Sequence, residues 1–254
     1  MDVAHIVLSL VFGALIGLIT GLLGGGGAVL AVLVLLYVFG ENLSTVVSTS
    51  LAVVGATALV GVFLHSRSGN VRFRTGLIVG LFSIGGAVAG TWLHHIVADK
   101  IVLLLFGVLI ILVGLDMLRQ GPSRERAASG RVSRRKFWVL LAGLGSVVGL
   151  MAGFFGVSGG FLVVPALVLV AGMHPHHAVG TSVLVSVLSS VSGFLAHLHF
   201  GTVDFKLAGL FVAGALAGVF SGTALCGRLP ERTLVKMLGA FIAIVGIYTI
   251  VRNA

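Results

Sequence analysis

The sequence predicts an all-α, polytopic integral membrane protein made of two related halves. Three observations predict it. Of 254 residues, 58% are hydrophobic and only 9% are charged, where a soluble domain carries roughly 25% charged residues. Apolar runs recur from end to end, each near the roughly 20 residues that a helical span needs. The second half also repeats the first at a fixed offset. A surface this poor in polar groups needs lipid as its solvent. In lipid every backbone N–H and C=O must be bonded internally, which leaves helices or closed barrels. The runs are continuous, not alternating, and too long for barrel strands, so helices are expected.

The first run, 3–23, follows Met1-Asp2 with no basic segment, so a resident helix is expected in place of a cleaved signal. The second, 28–39, follows a glycine cluster and is too short to cross about 30 Å of hydrocarbon. It is expected to be re-entrant or half of a broken helix. Runs 45–64 and 73–93 are full length, and 101–118 completes a first repeat, 1–118. A polar, basic linker occupies 119–136. The second repeat, 137–254, holds runs 137–155, 161–171, 177–199, 205–225 and 233–251, and its second run is again short and preceded by glycines.

The halves match at an offset of 132 positions. Gly21, Gly24 and Gly27 pair with Gly153, Gly156 and Gly159; Gly40 pairs with Gly172 and Gly61 with Gly193. Thr49-Ser50 pairs with Thr181-Ser182, His65 with His197, and Gly69-x-Val71-x-Phe73 with Gly201-x-Val203-x-Phe205. Gly90-Thr91, Gly107 and Gly114 pair with Gly222-Thr223, Gly239 and Gly246. Glycine matches alone are cheap in a chain with 38 glycines. A gapless register that also aligns hydroxyl pairs and histidines is not.

The net charge of +9 raises a nucleic-acid reading, but the cations sit in short connections between apolar runs, where topology accounts for them. Placing the linker in the cytoplasm puts Arg67, Arg72, Arg74, the linker cations, Arg228, Arg232 and Lys236 inside. Only Lys100, Lys206 and Arg252 are then outside, so the sixteen basic residues divide 13 to 3. Both termini are expected outside. The loop at Gly69 then faces in and its mate at Gly201 faces out, so the repeats are inverted. Inverted repeats with paired, glycine-interrupted short segments are a transporter arrangement, with the site at the midplane between them. Cys226 is the only cysteine, which excludes an intrachain disulfide and a cysteine-rich metal site.

The first candidate site is the pair of glycine turns. Gly24-Gly25-Gly26-Gly27 leads to Ala28, and Gly156-Val157-Ser158-Gly159-Gly160 leads to Phe161. Glycine allows positive φ and close ligand approach. A helix starting there presents unpaired N–H groups and about half a positive charge. Two such ends converging would bind an anion without Arg or Lys. That suits spans nearly free of charge away from their ends; Asp116, beside the linker, comes closest. The plainer alternative is close helix packing by small residues. Thr49, Ser50, Thr181, Ser182 and Ser158 offer hydroxyls to an anion, although such groups often bond back to their own helix. His65 and His197 are candidates for a proton or anion relay, against the alternative of interfacial histidines bonded to carbonyls.

Two further readings compete. His174, His176 and His177 cluster around Pro175 in an inside loop and raise a divalent-metal site. The matching stretch is Asn42-Leu43-Ser44-Thr45, and no carboxylate or cysteine joins the cluster. Gly156-Val157-Ser158-Gly159 with His197 or His199 raises an intramembrane serine protease, but the mate of Ser158 is Gly26, which favours a backbone role for the turn.

At these residues the sequence resembles the sulfite exporter TauE/SafE family of membrane permeases. The resemblance rests on Gly21-Leu22-Leu23-Gly24-Gly25-Gly26-Gly27, on Gly153-Phe154-Phe155-Gly156-Val157-Ser158-Gly159-Gly160-Phe161-Leu162-Val163-Val164-Pro165, and on Thr49-Ser50 and Ala178-Val179-Gly180-Thr181-Ser182. It covers nearly the whole chain and implies plasma-membrane transport of sulfite, sulfonates or related organosulfur anions. One departure is Leu33, which stands where the second half has Pro165. The expectation is a non-enzymatic permease exporting a small oxyanion by alternating access. It would act in the lipid bilayer without cofactor, metal or nucleic acid, with a homo-oligomer left open. Its substrate donors would be Gly25, Gly26, Gly27, Ala28, Ser158, Gly159, Gly160 and Phe161, with Thr49, Ser50, Thr181 and Ser182 nearby.

Overall fold

The computed structural model describes residues 3–119, 134–169, 171–198 and 203–253. Most of the linker, including Arg124, Arg126 and Arg131, lies outside the described residues, as do His199 and Gly201 and the side chains of Asp116 and Phe161. The described chain is helical throughout: α1 (Val3–Leu23), α2 (Gly26–Tyr37), α3 (Leu43–Arg67), α4 (Phe73–Ile96), α5 (Asp99–Arg119), α6 (Arg134–Phe155), α7 (Gly160–Leu169), α8 (Pro175–His197), α9 (Phe205–Cys226) and α10 (Glu231–Asn253). Among the described residues, seven helices are long and apolar enough to cross a membrane. The protein is an all-α, multi-pass membrane protein.

Local chemistry sets the breaks. Gly24 (φ 80°) and Gly156 (φ 70°) end α1 and α6 in the left-handed region, which side chains with a Cβ avoid. The second turn is longer, because Gly159 also has positive φ (67°), whereas Gly25 is extended (φ 167°) and α2 starts at once. Pro165 lies inside α7, where it removes a donor and distorts the helix. α2, with Leu33 at that place, ends at the position matching Leu169, and its two extra residues lie at its start, where the turn is shorter. His174 caps α8, and Pro175 occupies the first turn, where its missing N–H costs nothing.

α3 and α8 form the centre and are the most buried of the long helices. They cross antiparallel: Gly55 faces Ser190, Gly61 faces Val183, and Gly193 faces Leu51. α5 and α10 are also antiparallel, with Gly107 against Gly246 and Gly114 against Gly239. The outer pairs run parallel. In α1–α9, Gly13, Gly17 and Gly21 meet Phe211, Ala215 and Val219; in α4–α6, Gly145, Gly149 and Gly153 meet Val79, Ser83 and Ala87. A methyl on Gly21 would lie 2.7 Å from Val219 O, and one on Gly153 would lie 2.8 Å from Thr91 N. In lipid, close van der Waals packing of this kind replaces the hydrophobic drive as the main adhesive between helices. Gly21 and Gly153 therefore serve packing, while the turn glycines three residues later serve chain reversal.

The outer faces are apolar. Val11, Leu81, Phe82, Leu112, Ile244 and Ile247 are exposed, as lipid contact requires. Cations at helix ends lie over aromatic rings: Arg74 over Trp138 (4.9 Å), Arg67 over Phe63 (4.2 Å) and Arg252 over Tyr37 (5.1 Å). That is where stems stay in hydrocarbon and charges reach water.

Candidate substrate site at the glycine turns

The two turns meet in the interior. A Cβ on Gly160, at the start of α7, would sit 2.9 Å from both Gly24 O and Gly25 Cα. Gly24 to Gly27 and Gly156 to Gly160 are all buried. Two hydrogen bonds exchange partners between the halves: Ser50 Oγ donates to Gly156 O (2.8 Å), and Ser182 Oγ donates to Gly24 O (2.7 Å). Each hydroxyl also reaches a carbonyl of its own helix, Val47 O or Val179 O. Each serine thus satisfies a helix-end carbonyl that has lost its intrahelical donor.

The turn amides are not all available to a ligand. Ala28 N donates to Gly25 O (3.2 Å), Gly159 N donates to Val157 O, and Leu162 N and Val163 N donate to Gly159 O (2.9 and 3.1 Å). The Gly26, Gly27, Gly160 and Phe161 amides precede the first intrahelical bond of their helices. The expected donor set therefore divides: Ala28 and Gly159 are engaged within the turns, and the first-turn amides of α2 and α7 are the groups oriented toward helix-end chemistry.

The hydroxyls divide too. Thr181 Oγ1 accepts from the Arg72 backbone N–H (3.0 Å). Its mate, Thr49 Oγ1, is buried without a hydrogen-bond partner among the described residues. Ser158 Oγ donates to Ser186 Oγ (3.4 Å), and Ser158 O accepts from Ser189 (2.6 Å). Ser186 and Ser189 were not among the expected site residues. The available signal was a serine run, Ser186, Ser189, Ser190 and Ser192, on an otherwise apolar helix.

His65 and His197 are both fully buried. Nε2 of each donates to a carbonyl near the end of an apolar helix, Gly21 O (2.9 Å) and Gly153 O (3.0 Å), respectively. A carbonyl only accepts, so the proton is on Nε2 and Nδ1 is a lone pair. Both Nδ1 atoms lack partners among the described residues. His197 also packs against His94 and His95 (ring centroids 5.5 and 5.6 Å), a grouping that the separated sequence positions hide. Ser158 and His197 have different partners, so they form no Ser–His dyad. His177 Nε2 accepts from Arg72 Nη2 (3.2 Å), and His174 lies edge-on to His177 (ring centroids 6.4 Å). Among the described residues no group of three His, Cys, Asp or Glu side chains is placed to hold a metal ion.

Long apolar helices, glycine-ended half-length segments and a buried polar centre define a membrane permease that moves a small solute. The chain belongs to the sulfite exporter TauE/SafE family, whose profile matches residues 9–249. It is similar to a probable membrane transporter protein of Xylella fastidiosa (strain 9a5c), at 32% identity over all of this chain and 98% of that one. It is also similar to the probable membrane transporter protein YdhB of Bacillus subtilis (strain 168), at 29% identity over 92% of this chain and 95% of that one. A probable membrane transporter protein of Methanocaldococcus jannaschii is 23% identical over 95% and 94% of the two chains. No solved structure matches. These relatives bear the name of probable membrane transporters, and with the family match the chain is a transporter, not an enzyme.

Proposed function

We propose that the chain exports a small oxyanion (sulfite, a sulfonate or a related organosulfur anion) across the plasma membrane by alternating access between two inverted repeats, 1–118 and 137–254. The linker 119–136 would be cytoplasmic and both termini outside. The antiparallel crossing of helices that occupy matching places, α3 with α8 and α5 with α10, supports inversion. The carrying observation is the meeting of the α2 and α7 first turns at the centre, tied by Ser50–Gly156 and Ser182–Gly24. Two positive helix ends would there face one buried volume that needs no side-chain cation.

In the arrangement described, the turns are packed together. Binding would require the serine bonds to lengthen as α3 and α8 slide. This would release the Gly26, Gly27, Gly160 and Phe161 amides, with Gly25, Ala28, Ser158 and Gly159 shaping the turns. Thr49, with its unpartnered hydroxyl, would join, as would Ser50, Thr181 and Ser182 once exchanged. A relay through His65 and His197 would use their open Nδ1 atoms. An inside-negative potential favours anion exit by about 2.3 kcal/mol per charge per 100 mV, so export needs no coupled cation.

The test is flux from proteoliposomes loaded with sulfite or with methanesulfonate. Saturable, potential-sensitive efflux is expected. Liposomes no leakier to any small anion than protein-free controls would refute the proposal.

A further inference from the structure

Ser182, Ser186 and Ser189 follow one another along α8 at the i, i+4, i+7 spacing that lines one side of a helix. All three are fully buried. The outer two hold the glycine turns: Ser182 donates to Gly24 O (2.7 Å) and Ser189 to Ser158 O (2.6 Å). Ser186 lies between them, where the two turns meet. A methyl on Gly160 would overlap Ser186 Oγ, and the same methyl would lie 2.9 Å from both Gly24 O and Gly25 Cα. The Ser186 hydroxyl therefore stands beside the first turn of α7 and against the first glycine turn.

At this junction hydroxyl protons outnumber acceptors. Among the described residues, the hydrogen-bond partner of Ser186 Oγ is Ser158 Oγ, which donates to it (3.4 Å). Each hydroxyl carries one proton. The Ser158 proton fills the shared bond, and the Ser186 proton has no acceptor among the described residues. Both side chains are fully buried, so the donor is held away from bulk water at a cost in free energy. A serine in a helix commonly escapes that cost by bonding back to its own backbone. Ser182 and Ser189 do so, to Val179 O and Val185 O (2.7 and 3.0 Å); Ser186 does not. This arrangement belongs to one half. At the 132-residue offset, Ser186 and Ser158 become Val54 and Gly26, neither of which has a hydroxyl.

We propose that Ser186 is an anion ligand: its spare O–H is the side-chain donor that joins the first-turn amides of α7 on an oxygen of the bound oxyanion. The proposal deepens the anion-permease reading and rests on it. A hydroxyl bonded to a charged oxygen forms one of the stronger hydrogen bonds available to a protein, and here it is supplied from α8 with no equivalent from α3 at the matching place.

The experiment measures equilibrium binding of radiolabelled methanesulfonate to the purified full-length protein by scintillation proximity, together with the melting temperature in detergent. Ser186→Ala should raise the dissociation constant about tenfold, the loss of one charge-assisted hydrogen bond. It should leave the melting temperature of the anion-free protein near that of the wild type, because one hydroxyl proton lacks an acceptor before the change and one lacks it after. Ser158→Ala keeps the Ser186 proton and should weaken binding less. Ser186→Cys, close in size with a weak S–H donor, should fall between the wild type and Ser186→Ala, and it carries the test if the alanine variant does not fold. Equal dissociation constants in the wild type and the Ser186 variants, or a lowered melting temperature with affinity unchanged, overturns the ligand role. So does a wild type that binds no methanesulfonate. Anion flux in wild-type proteoliposomes alongside either result leaves the permease reading standing. Tenfold weaker binding in Ser186→Ala, without wild-type flux of any anion, keeps Ser186 as a ligand and removes the permease reading.

Discussion

The Ser182 hydroxyl donates to the carbonyl of Gly24, 2.7 Å away and 158 residues earlier in the chain. Its mate, Ser50, does the same to Gly156, 106 residues later (2.8 Å). Each half therefore closes the other half's glycine turn. Both glycines are buried, so the bonds link the stability of the centre to the position of α3 and α8.

Ser50→Ala and Ser182→Ala should each destabilise the protein by about 1–3 kcal/mol, the cost of leaving a buried acceptor unpaired. Thermal unfolding in detergent measures this. Two melting temperatures equal to the wild type would remove the structural role assigned to the pair.

Gly24→Ala and Gly40→Ala separate conformation from packing. Both glycines have positive φ (80° and 69°), but a methyl on Gly40 meets nothing within 4 Å, while one on Gly24 meets Ser182 Oγ and lies 2.9 Å from Val179 O. The Gly40 change should cost about 1–2 kcal/mol, the left-handed penalty alone. The Gly24 change should cost more and also lower flux. Equal costs would show that Gly24 is needed only for its backbone angle.

His65→Ala and His197→Ala each leave a buried carbonyl without its donor, at about 1–3 kcal/mol. His→Gln restores an N–H and should recover part of that stability. If the residues serve only as helix-end donors, flux per folded molecule in the Gln variants should match the wild type. A selective loss of flux with stability restored would assign the rings a relay.

Gly17→Leu should prevent assembly of the α1–α9 pair, because its methylene would overlap the Ala215 backbone. Gly209→Leu, at a position open within 4 Å, should be tolerated. Yield of monodisperse protein distinguishes the two.

Much of the fold was legible because lipid imposes long apolar runs. The 132-residue register belongs to the sequence itself, where Thr49-Ser50 and Thr181-Ser182 keep step with the glycines. Helix ends were less legible. Run 45–64 is shorter than Leu43–Arg67 because hydropathy weakens at the interface while helical hydrogen bonding continues through His65 and Arg67, and α8 likewise starts at Pro175, two residues before the expected 177. α2 begins at Gly26, not at residue 28, since one extended glycine after Gly24 suffices to redirect the chain. What the sequence concealed was the exchange between halves. An offset aligns Ser50 with Ser182, but it does not reveal that Ser50 bonds Gly156 and not Gly24. It likewise leaves open that α1 packs along α9. Those choices are made by surface fit between glycine stripes, which a one-dimensional register does not encode.

The most direct test is a cryo-electron microscopy structure of the protein in lipid nanodiscs saturated with methanesulfonate. Density for the anion is expected between the first turns of α2 and α7, within hydrogen-bonding distance of the Gly26, Gly27 or Gly160 amides, with the Ser50–Gly156 or Ser182–Gly24 bond lengthened. An anion bound elsewhere in the membrane region, with both serine bonds intact and the turns still in contact, would contradict the proposed site.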